Sequence, residues 1–313
     1  MNSCEICGSE DFSLVATEIR EGAGKICQCN SCGLVIQDIS QTYEGLDKYY
    51  NEEYQLINSL VSGREQSPKE HFDDRIMTIK PIIENIRPYL NPQIKLLEIG
   101  CGTGELLYNI KSYVSEVTGV EINSRFVNFI NSDLGIEAYA GDINKIDIGG
   151  RKFDFIISIA TLDHLNNPLE TLVTMRDLLA PDGKIYIEVP NRNEGLNHYI
   201  PSPNREMFNK FFWHRAHLFY FTKATITALF KKAGLNGSIS CRHDYTLKNF
   251  LNWYFLGKPQ SGLVTGMLDS RFFYGKSDFE VRMEKALSSL EEEFKMIMLQ
   301  TFCGDNLCCI GWL

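Results

Sequence analysis

Four cysteines near the start of the chain have the spacing of a metal site. Cys4 and Cys7 form one C-x-x-C-G knuckle, and Cys29 and Cys32 form a second, with 21 residues between the inner cysteines. Each knuckle turns tightly enough for both sulfurs to face one ion, and two knuckles supply four thiolates. The pattern predicts a closed, structural zinc site. Cys27 lies close enough to compete with Cys29 as a ligand.

A glycine-rich loop further along the chain indicates a cofactor site. LEIGCGTG follows an apolar run and precedes a helical pattern, and Gly100, Gly102 and Gly104 allow a sharp turn and a close approach to a ligand. The dinucleotide fingerprint G-x-G-x-x-G would need a third glycine where Glu105 stands. The motif is instead E-x-G-x-G-x-G, which begins at Glu98.

Two acidic residues follow the next two predicted strands. Glu121 closes GVE, and a carboxylate there can accept hydrogen bonds from both hydroxyls of a ribose. Asp142 closes AGD, where it is either a second cofactor contact or an ordinary turn residue. The glycine loop and Glu121 together favour a ligand that carries a nucleoside.

From Leu96 to Val189 the chain resembles the class I methyltransferases that use S-adenosylmethionine. The resemblance rests on the glycine loop, Glu121, FDFIIS and LAPDGKIYIEVPN. It implies that the loop wraps the methionine part of the cofactor, that Asp142 contacts the adenine amino group and that Ile143 lines the adenine pocket. The cofactor residues that it implies are Glu98, Gly100, Cys101, Gly102, Gly104, Glu121, Ile122, Asp142, Ile143 and Ala160.

Two further segments resemble a group of sugar methyltransferases that includes deoxysugar C-methyltransferases. One is CNSCGLVIQ, which follows the first knuckle, and the other is HRAHLFYFT at residues 214–222. The resemblance implies a sugar or nucleotide-linked sugar as the acceptor and His217 as a general base. Ala216 stands where the group has Glu, and His214 stands where it has Tyr.

A hydroxyl acceptor must lose its proton as it attacks, so a base in the pocket helps. The candidates are His217, with Tyr220 or His214 orienting it, and His164 beside Asp163. The alternatives are that His217 packs in the surrounding aromatic cluster and that His164 is an ordinary loop residue.

The elements that position these residues alternate between strands and helices. The order predicts an α/β, Rossmann-like doubly wound fold with a mostly parallel seven-stranded sheet, a small N-terminal zinc ribbon and a helical insertion before the last strand. The predicted domains are a zinc-ribbon module at 1–40, a linker and helical lid at 41–90, and a class I methyltransferase domain at 91–313 with an insertion at about 246–302. Tyr43, Tyr49, Tyr50 and Tyr54 are candidates to close over the site or to pack on the surface.

Charge and composition restrict the partners. The net charge of −9 opposes a main function in gripping phosphate backbones, and residues 1–40 carry six acidic residues against two basic ones. We therefore expect a cytoplasmic protein with a small-molecule acceptor, no nucleic-acid partner, no membrane insertion and a possible homodimer. The open alternatives are a ribosomal RNA methyltransferase with a zinc module, a carbon-methylating deoxysugar enzyme and a non-catalytic scaffold.

Overall fold

The structure is a computed structural model that describes residues 3–38, 66–260 and 263–313. Tyr43, Tyr49, Tyr50 and Tyr54 lie outside the described residues, so their suggested closure over the site stays a prediction. Within the described ranges, no helix is both long enough and apolar enough to cross a membrane.

The front of the chain forms a small antiparallel sheet of four strands. Three come from the cysteine-rich segment: β1 (Phe12–Ile19), β2 (Gly22–Cys29) and β3 (Val35–Gln37). The fourth strand, β9 (Phe219–Tyr220), comes from the second half of the chain and pairs with β3. The cysteine-rich segment thus shares its sheet with the segment that directly follows His217.

The main sheet has seven strands in the order β10-β11-β8-β7-β4-β5-β6. Neighbouring strands from β8 to β6 are parallel, and β11 is antiparallel to both β8 and β10. This confirms the predicted mostly parallel, Rossmann-like sheet. The strands are β4 (Lys95–Ile99), β5 (Glu116–Glu121), β6 (Glu137–Ala140), β7 (Phe153–Ile159), β8 (Leu179–Pro190), β10 (Asn236–Arg242) and β11 (Asn306–Trp312).

Helices cover both faces of this sheet because successive strand residues point to opposite sides. Leu97 packs in one hydrophobic cluster with α5 (Pro168–Leu178) and α7 (Lys223–Lys232), whereas Leu96 packs in the other with α3 (Glu105–Ile110) and α4 (Ser124–Ser132). The same alternation repeats in β7 and β8. Ile156 and Ile185 belong to the first cluster, and Phe155 and Tyr186 to the second.

Two boundaries differ from the sequence patterns. The described part of the predicted helical lid is divided into α1 (Pro68–Arg75), α2 (Lys80–Ile86) and a 3₁₀ turn at Arg87–Tyr89, with Pro81 in the first turn of α2. Proline is tolerated there because its missing N–H would be unpaired anyway. The PDG segment at 181–183, whose composition is typical of a turn, lies inside β8, where Asp182 has φ +65° and the pairing with β7 shifts register.

A helical insertion separates β10 from β11, as predicted. It contains α8 (Leu247–Leu256), α9 (Leu263–Leu268) and α10 (Asp278–Gln300), and α6 (Asn204–Phe212) packs against α8 from the main domain. Thr246 and Ser277 cap α8 and α10 through their hydroxyl groups, which explains where each helix begins.

Candidate cofactor, metal and acceptor sites

The glycine loop connects β4 to α3 in a conformation that suits glycine. Gly100, Gly102 and Gly104 have φ values of +75°, +53° and +81°. A Cβ on Gly100 would lie 2.2 Å from the hydroxyl oxygen of Thr161, so the loop and the segment after β7 are in close contact. A Cβ on Gly102 would meet nothing nearer than the Glu105 carboxylate oxygens at 3.8 Å. The space in front of Gly102 is therefore open, as a ligand cradle requires.

Glu121 stands where β5 ends and is held by backbone groups. One carboxylate oxygen accepts a hydrogen bond from the Gly102 N–H, and the other accepts one from the Asn123 N–H, each at 3.0 Å. Burial raises the pKa of Glu121, although these N–H groups oppose the shift. The carboxylate thus faces the glycine loop, in the place that suits a ribose contact.

The remaining predicted cofactor residues are distributed around the same edge. Asp142 accepts a hydrogen bond from the Asn144 N–H at 3.0 Å and lies 3.2 Å from the Lys145 ammonium, which is the geometry of a turn aspartate. Ile143 and Cys101 are buried, and Ile122, next to Glu121, is half-buried. Ala160 follows β7 with an exposed side chain and φ +45°. Such a conformation is costly for alanine and is typical of functional sites.

The environment of Glu98 is not evident from the sequence pattern. Glu98 is only 4% exposed, and its carboxyl oxygen Oε2 has no hydrogen-bond partner among the described residues. Burial, followed by the charges of Glu105 and Glu121, holds the pKa of Glu98 well above its ordinary range. Acidic groups around an open glycine loop fit a cationic ligand, and S-adenosylmethionine carries a sulfonium and an ammonium group.

Helix α1 also reaches the loop, which the sequence patterns do not indicate. The Arg75 guanidinium lies 3.1 Å from the Glu105 carboxylate, and the His71 ring nitrogen lies 3.3 Å from the Thr103 hydroxyl. Thr103 in turn donates to Glu105 at 2.9 Å. These contacts form because α1 packs closely against the loop. The sequence does not predict them, because the two segments are distant along the chain.

The predicted bases lie together beyond the carboxyl end of β7. A 3₁₀ turn at Leu162–His164 presents Asp163 and His164, and His217 approaches from the segment before β9. The Nε2 atoms of His164 and His217 lie 3.4 and 3.6 Å from the Asp163 Oδ2. The side chain of His217 is 21% exposed, against 9% for His164 and none for Asp163. We refer to Asp163, His164 and His217 as the histidine cluster.

His214 and Tyr220 hold the turn that carries His217 of this cluster. The His214 Nδ1 accepts a hydrogen bond from the Ala216 N–H at 3.0 Å, and its Nε2 lies 3.3 Å from the Glu21 carboxylate. The Tyr220 hydroxyl donates to the His214 carbonyl at 3.2 Å and accepts from the His214 N–H at 2.8 Å. Both side chains are thus engaged in holding the His214–His217 turn.

Burial disfavours the charged form of three imidazoles, namely those of His164 and His217 in the cluster and that of His214 beside it. It lowers the pKa of His164 to about 4 and the pKa of His214 to about 3, and it holds the pKa of His217 well below the ordinary range. It also raises the pKa of Asp163 to about 7. The imidazoles are therefore neutral at physiological pH. We do not expect the turnover rate to rise with pH between 6 and 7 through the titration of an ordinary histidine.

The four knuckle cysteines converge as their spacing predicts. Their sulfur atoms lie within 4.8 Å of one another, with Cys4–Cys32 at 3.4 Å and Cys7–Cys29 at 3.5 Å, and no disulfide joins them. Tetrahedral zinc with Zn–S bonds of about 2.3 Å separates its sulfurs by about 3.8 Å. The set fits a structural zinc ion with Cys4, Cys7, Cys29 and Cys32 as ligands.

The ribbon, which is the four-stranded sheet that carries the cysteine knuckles, is also attached to the histidine cluster. The Gln37 N–H donates to the Leu218 carbonyl at 2.9 Å. In the amide orientation that satisfies both of its ends, the Gln37 side chain donates to the His214 and His217 carbonyls at 3.0 Å each. Glu21, between β1 and β2, accepts from the Arg215 N–H at 3.0 Å. The ribbon therefore supports the turn that carries His217.

We expect Cys32→Ser to release about one zinc ion per chain and to lower methyl transfer by about 10–100-fold, the range for loss of supporting contacts. The reason is that β3 and Gln37 lose their support and the turn at His217 is displaced. The affinity for S-adenosylmethionine should stay within about twofold of wild type, because the glycine loop belongs to the other sheet. Elemental analysis, calorimetry and a turnover assay measure the three quantities.

Cys27→Ser is the matched control. Cys27 is a buried cysteine of β2 outside the four-sulfur group, so this variant should keep its zinc and its turnover. A Cys32→Ser variant that has lost its zinc yet turns over normally would contradict the coupling between ribbon and cluster.

Comparison with known proteins agrees with this geometry. A family model described as a methyltransferase domain matches residues 70–238, more than half of the chain, and the chain belongs to that family. It is 27% identical over 115 residues to a ubiquinone biosynthesis O-methyltransferase of Coxiella burnetii, covering 34% of this chain and 49% of the relative. A mitochondrial enzyme of the same name from Arabidopsis thaliana is 29% identical over 106 residues, covering 32% of this chain and 33% of the relative.

The chain thus spans half or less of the length of these curated relatives. Among solved structures, a SAM-dependent methyltransferase from Archaeoglobus fulgidus superposes with a TM-score of 0.50 at 16% identity. The superposition covers 78% of this chain and 96% of that one. This likeness shows the fold of the main sheet and its helices.

Proposed function

We propose that this protein transfers the methyl group of S-adenosylmethionine to a hydroxyl oxygen of a small-molecule acceptor. The observation that carries the proposal is the position of the histidine cluster beside the glycine loop. The loop follows β4, Asp163 and His164 of the cluster follow β7, and these two strands are direct parallel neighbours. The contact between Gly100 and Thr161 brings the two segments together. Ligands of open parallel sheets bind at this carboxyl edge.

The chemistry needs alignment and the removal of one proton. S-adenosylmethionine, when bound, supplies an electrophilic methyl carbon, and the acceptor oxygen must attack it in line with the departing sulfur. A hydroxyl is a poor nucleophile until its proton leaves. The histidine cluster is placed to activate it, and His217 is the member that solvent and ligands reach. Tyr220 and His214 act as positioning residues for that turn.

For the acceptor, we propose a sugar or nucleotide-linked sugar. The support is the resemblance of HRAHLFYFT and of the knuckle segment to sugar methyltransferases. The relatives named O-methyltransferases support oxygen as the atom that is methylated.

The test is a transfer assay with S-adenosylmethionine labelled in its methyl group. The acceptors are nucleotide-linked sugars, free sugars and a ubiquinone precursor that carries a hydroxyl group, since the curated relatives are named for ubiquinone biosynthesis. Mass spectrometry identifies the methylated product, and NMR of the labelled methyl distinguishes oxygen, nitrogen and carbon as its site. An oxygen-bound methyl on a sugar is expected. Transfer to the ubiquinone precursor alone overturns the sugar acceptor, and a methyl group on nitrogen or carbon overturns the proposed transfer to oxygen.

A further inference from the structure

Asp163 presents a buried carboxyl group to the two imidazoles of the histidine cluster. Its side chain is fully buried, and within the described part of the chain neither carboxyl oxygen has a hydrogen-bond partner. Burying a carboxylate in this way costs several kcal/mol unless a cation or donors face it. The residue is also fixed in place, because its carbonyl accepts a hydrogen bond from the Leu218 N–H at 2.8 Å.

The two imidazoles around Asp163 are at the wrong distance for hydrogen bonds and at the right distance for shared coordination. Their Nε2 atoms lie 3.4 and 3.6 Å from the Asp163 Oδ2, beyond the range of about 2.7–3.2 Å for an N–H···O bond. A tetrahedral ion with ligand bonds of about 2.0–2.2 Å separates neighbouring ligand atoms by about 3.3–3.6 Å. All three ligand atoms lie within 4.8 Å of one another.

We propose that Asp163, His164 and His217 bind a divalent transition-metal ion of the zinc type, separate from the zinc ion of the cysteine knuckles. Two imidazole nitrogens and one carboxylate oxygen suit zinc, cobalt or iron, whereas magnesium and calcium prefer oxygen ligands. Three protein ligands leave a fourth tetrahedral position open, as in catalytic metal sites. The partly exposed side of His217 is where that position is reached.

A second histidine–aspartate pair shows what distinguishes the cluster. The His243 Nδ1 lies 3.6 Å from the Asp305 Oδ1, and both side chains are buried. The Asp305 carboxylate, however, accepts hydrogen bonds from the Asp244 N–H at 3.1 and 3.2 Å, and no second histidine faces it among the described residues. That carboxylate is satisfied without an ion, and the pair provides an internal control.

The metal ion would also take part in the proposed methyl transfer, and this role rests on the proposed function. A hydroxyl oxygen bound at the open position would have a lowered pKa and would release its proton to bulk water. The oxygen then forms the bond to the methyl carbon, and the C–S electron pair leaves with the sulfur, which becomes a neutral thioether. The metal site itself is inferred from the ligand geometry alone.

Cobalt binding tests the site without an activity assay. The full chain, with its cysteine-bound zinc in place and labile metal removed by a mild chelator, is titrated with Co²⁺. We expect one further equivalent to bind, with ligand-field absorption that lacks the intense thiolate-to-cobalt band of a cysteine site. Asp163→Asn and His217→Ala should each weaken this binding at least about 100-fold, since loss of a supporting contact alone costs about 10–100-fold.

His243→Ala should leave the cobalt affinity unchanged. The inference is overturned if the wild-type chain binds no cobalt beyond the knuckle site, or if the only new absorption is that of a thiolate complex. It is also overturned if both cluster variants, folded by circular dichroism, bind cobalt as the wild type does. Cobalt binding without methyl transfer to any hydroxyl would overturn the proposed function and leave the metal site standing, and the converse result would do the opposite.

Discussion

Gly102→Val should abolish the binding of S-adenosylmethionine while the protein stays folded. The backbone at Gly102 has φ +53°, and the position of a Cβ there is free of contacts closer than 3.8 Å. A valine side chain would fill the open space in front of the loop, where the cofactor needs a close approach to the backbone. Calorimetry with S-adenosylmethionine and with its demethylated product should show at least about a 100-fold loss of affinity, about 2.7 kcal/mol.

The variant also carries a backbone cost, which a second glycine isolates. Gly135 has φ +62° and no atom within 4 Å of its Cβ position, so a side chain there enters open space between α4 and β6. Gly135→Val thus carries the same left-handed penalty of about 1–2 kcal/mol without entering the cradle. It should melt at a temperature close to that of Gly102→Val and bind the cofactor normally. Equal cofactor affinity in the two variants would show that the loop does not hold the ligand.

Much of the main domain could be predicted from the sequence because its patterns are local. Buried parallel strands such as β4 and β7 are short apolar runs, and the glycine loop lies between a strand and a helix in the sequence itself. The position of Glu121 after β5 follows from the same order. The four cysteines could be grouped because two knuckles of this spacing are typical of a single four-thiolate site.

The parts that could not be predicted depend on contacts between distant segments. Strand β9 has only two residues, and its pairing with β3 has no local signal. Gln37 and Glu21 support the histidine turn only because that pairing brings the ribbon to it. The composition of the PDG segment predicts a turn, but the strand continues through it because a register shift absorbs the left-handed Asp182.

The arrangement of the histidine cluster could also be predicted only in part from the sequence. Asp163 and His164 are neighbours in the sequence, and the resemblance to a sugar-methyltransferase segment distinguishes His217. All three residues face one another, and among the described residues the Asp163 carboxyl oxygens have no hydrogen-bond partner. This arrangement depends on the 3₁₀ turn after β7 and on the hydrogen bond from the Leu218 N–H to the Asp163 carbonyl. The residue types suggest a base, and only the geometry suggests a metal ligand set.

His217→Ala should lower the turnover number by about 10²–10⁴-fold, the usual range for loss of a group that activates a hydroxyl. The reason is that His217 is the most exposed member of the cluster and the one that an acceptor can reach, whether it acts through its own imidazole or through a bound ion. Its ring packs against the rings of His164, His214 and Tyr220, on the side of the cluster and not in the glycine loop. The dissociation constant for S-adenosylmethionine should therefore change by less than about twofold.

Three further variants distinguish the role of His217 from the roles of the residues around it. His164→Ala removes the more buried imidazole of the same cluster and should also reduce turnover, whereas His243→Ala removes a buried histidine elsewhere and should leave turnover unchanged. Glu21→Gln removes the charge beside His214 and should cause a smaller loss than His217→Ala, because it acts only through the position of the turn. Single-turnover rates separate the chemical step from product release. If His217→Ala keeps near-normal turnover and His164→Ala does not, the activating residue is His164. If neither variant slows the reaction, the enzyme relies on alignment alone, and an acceptor that is already a good nucleophile must replace the hydroxyl.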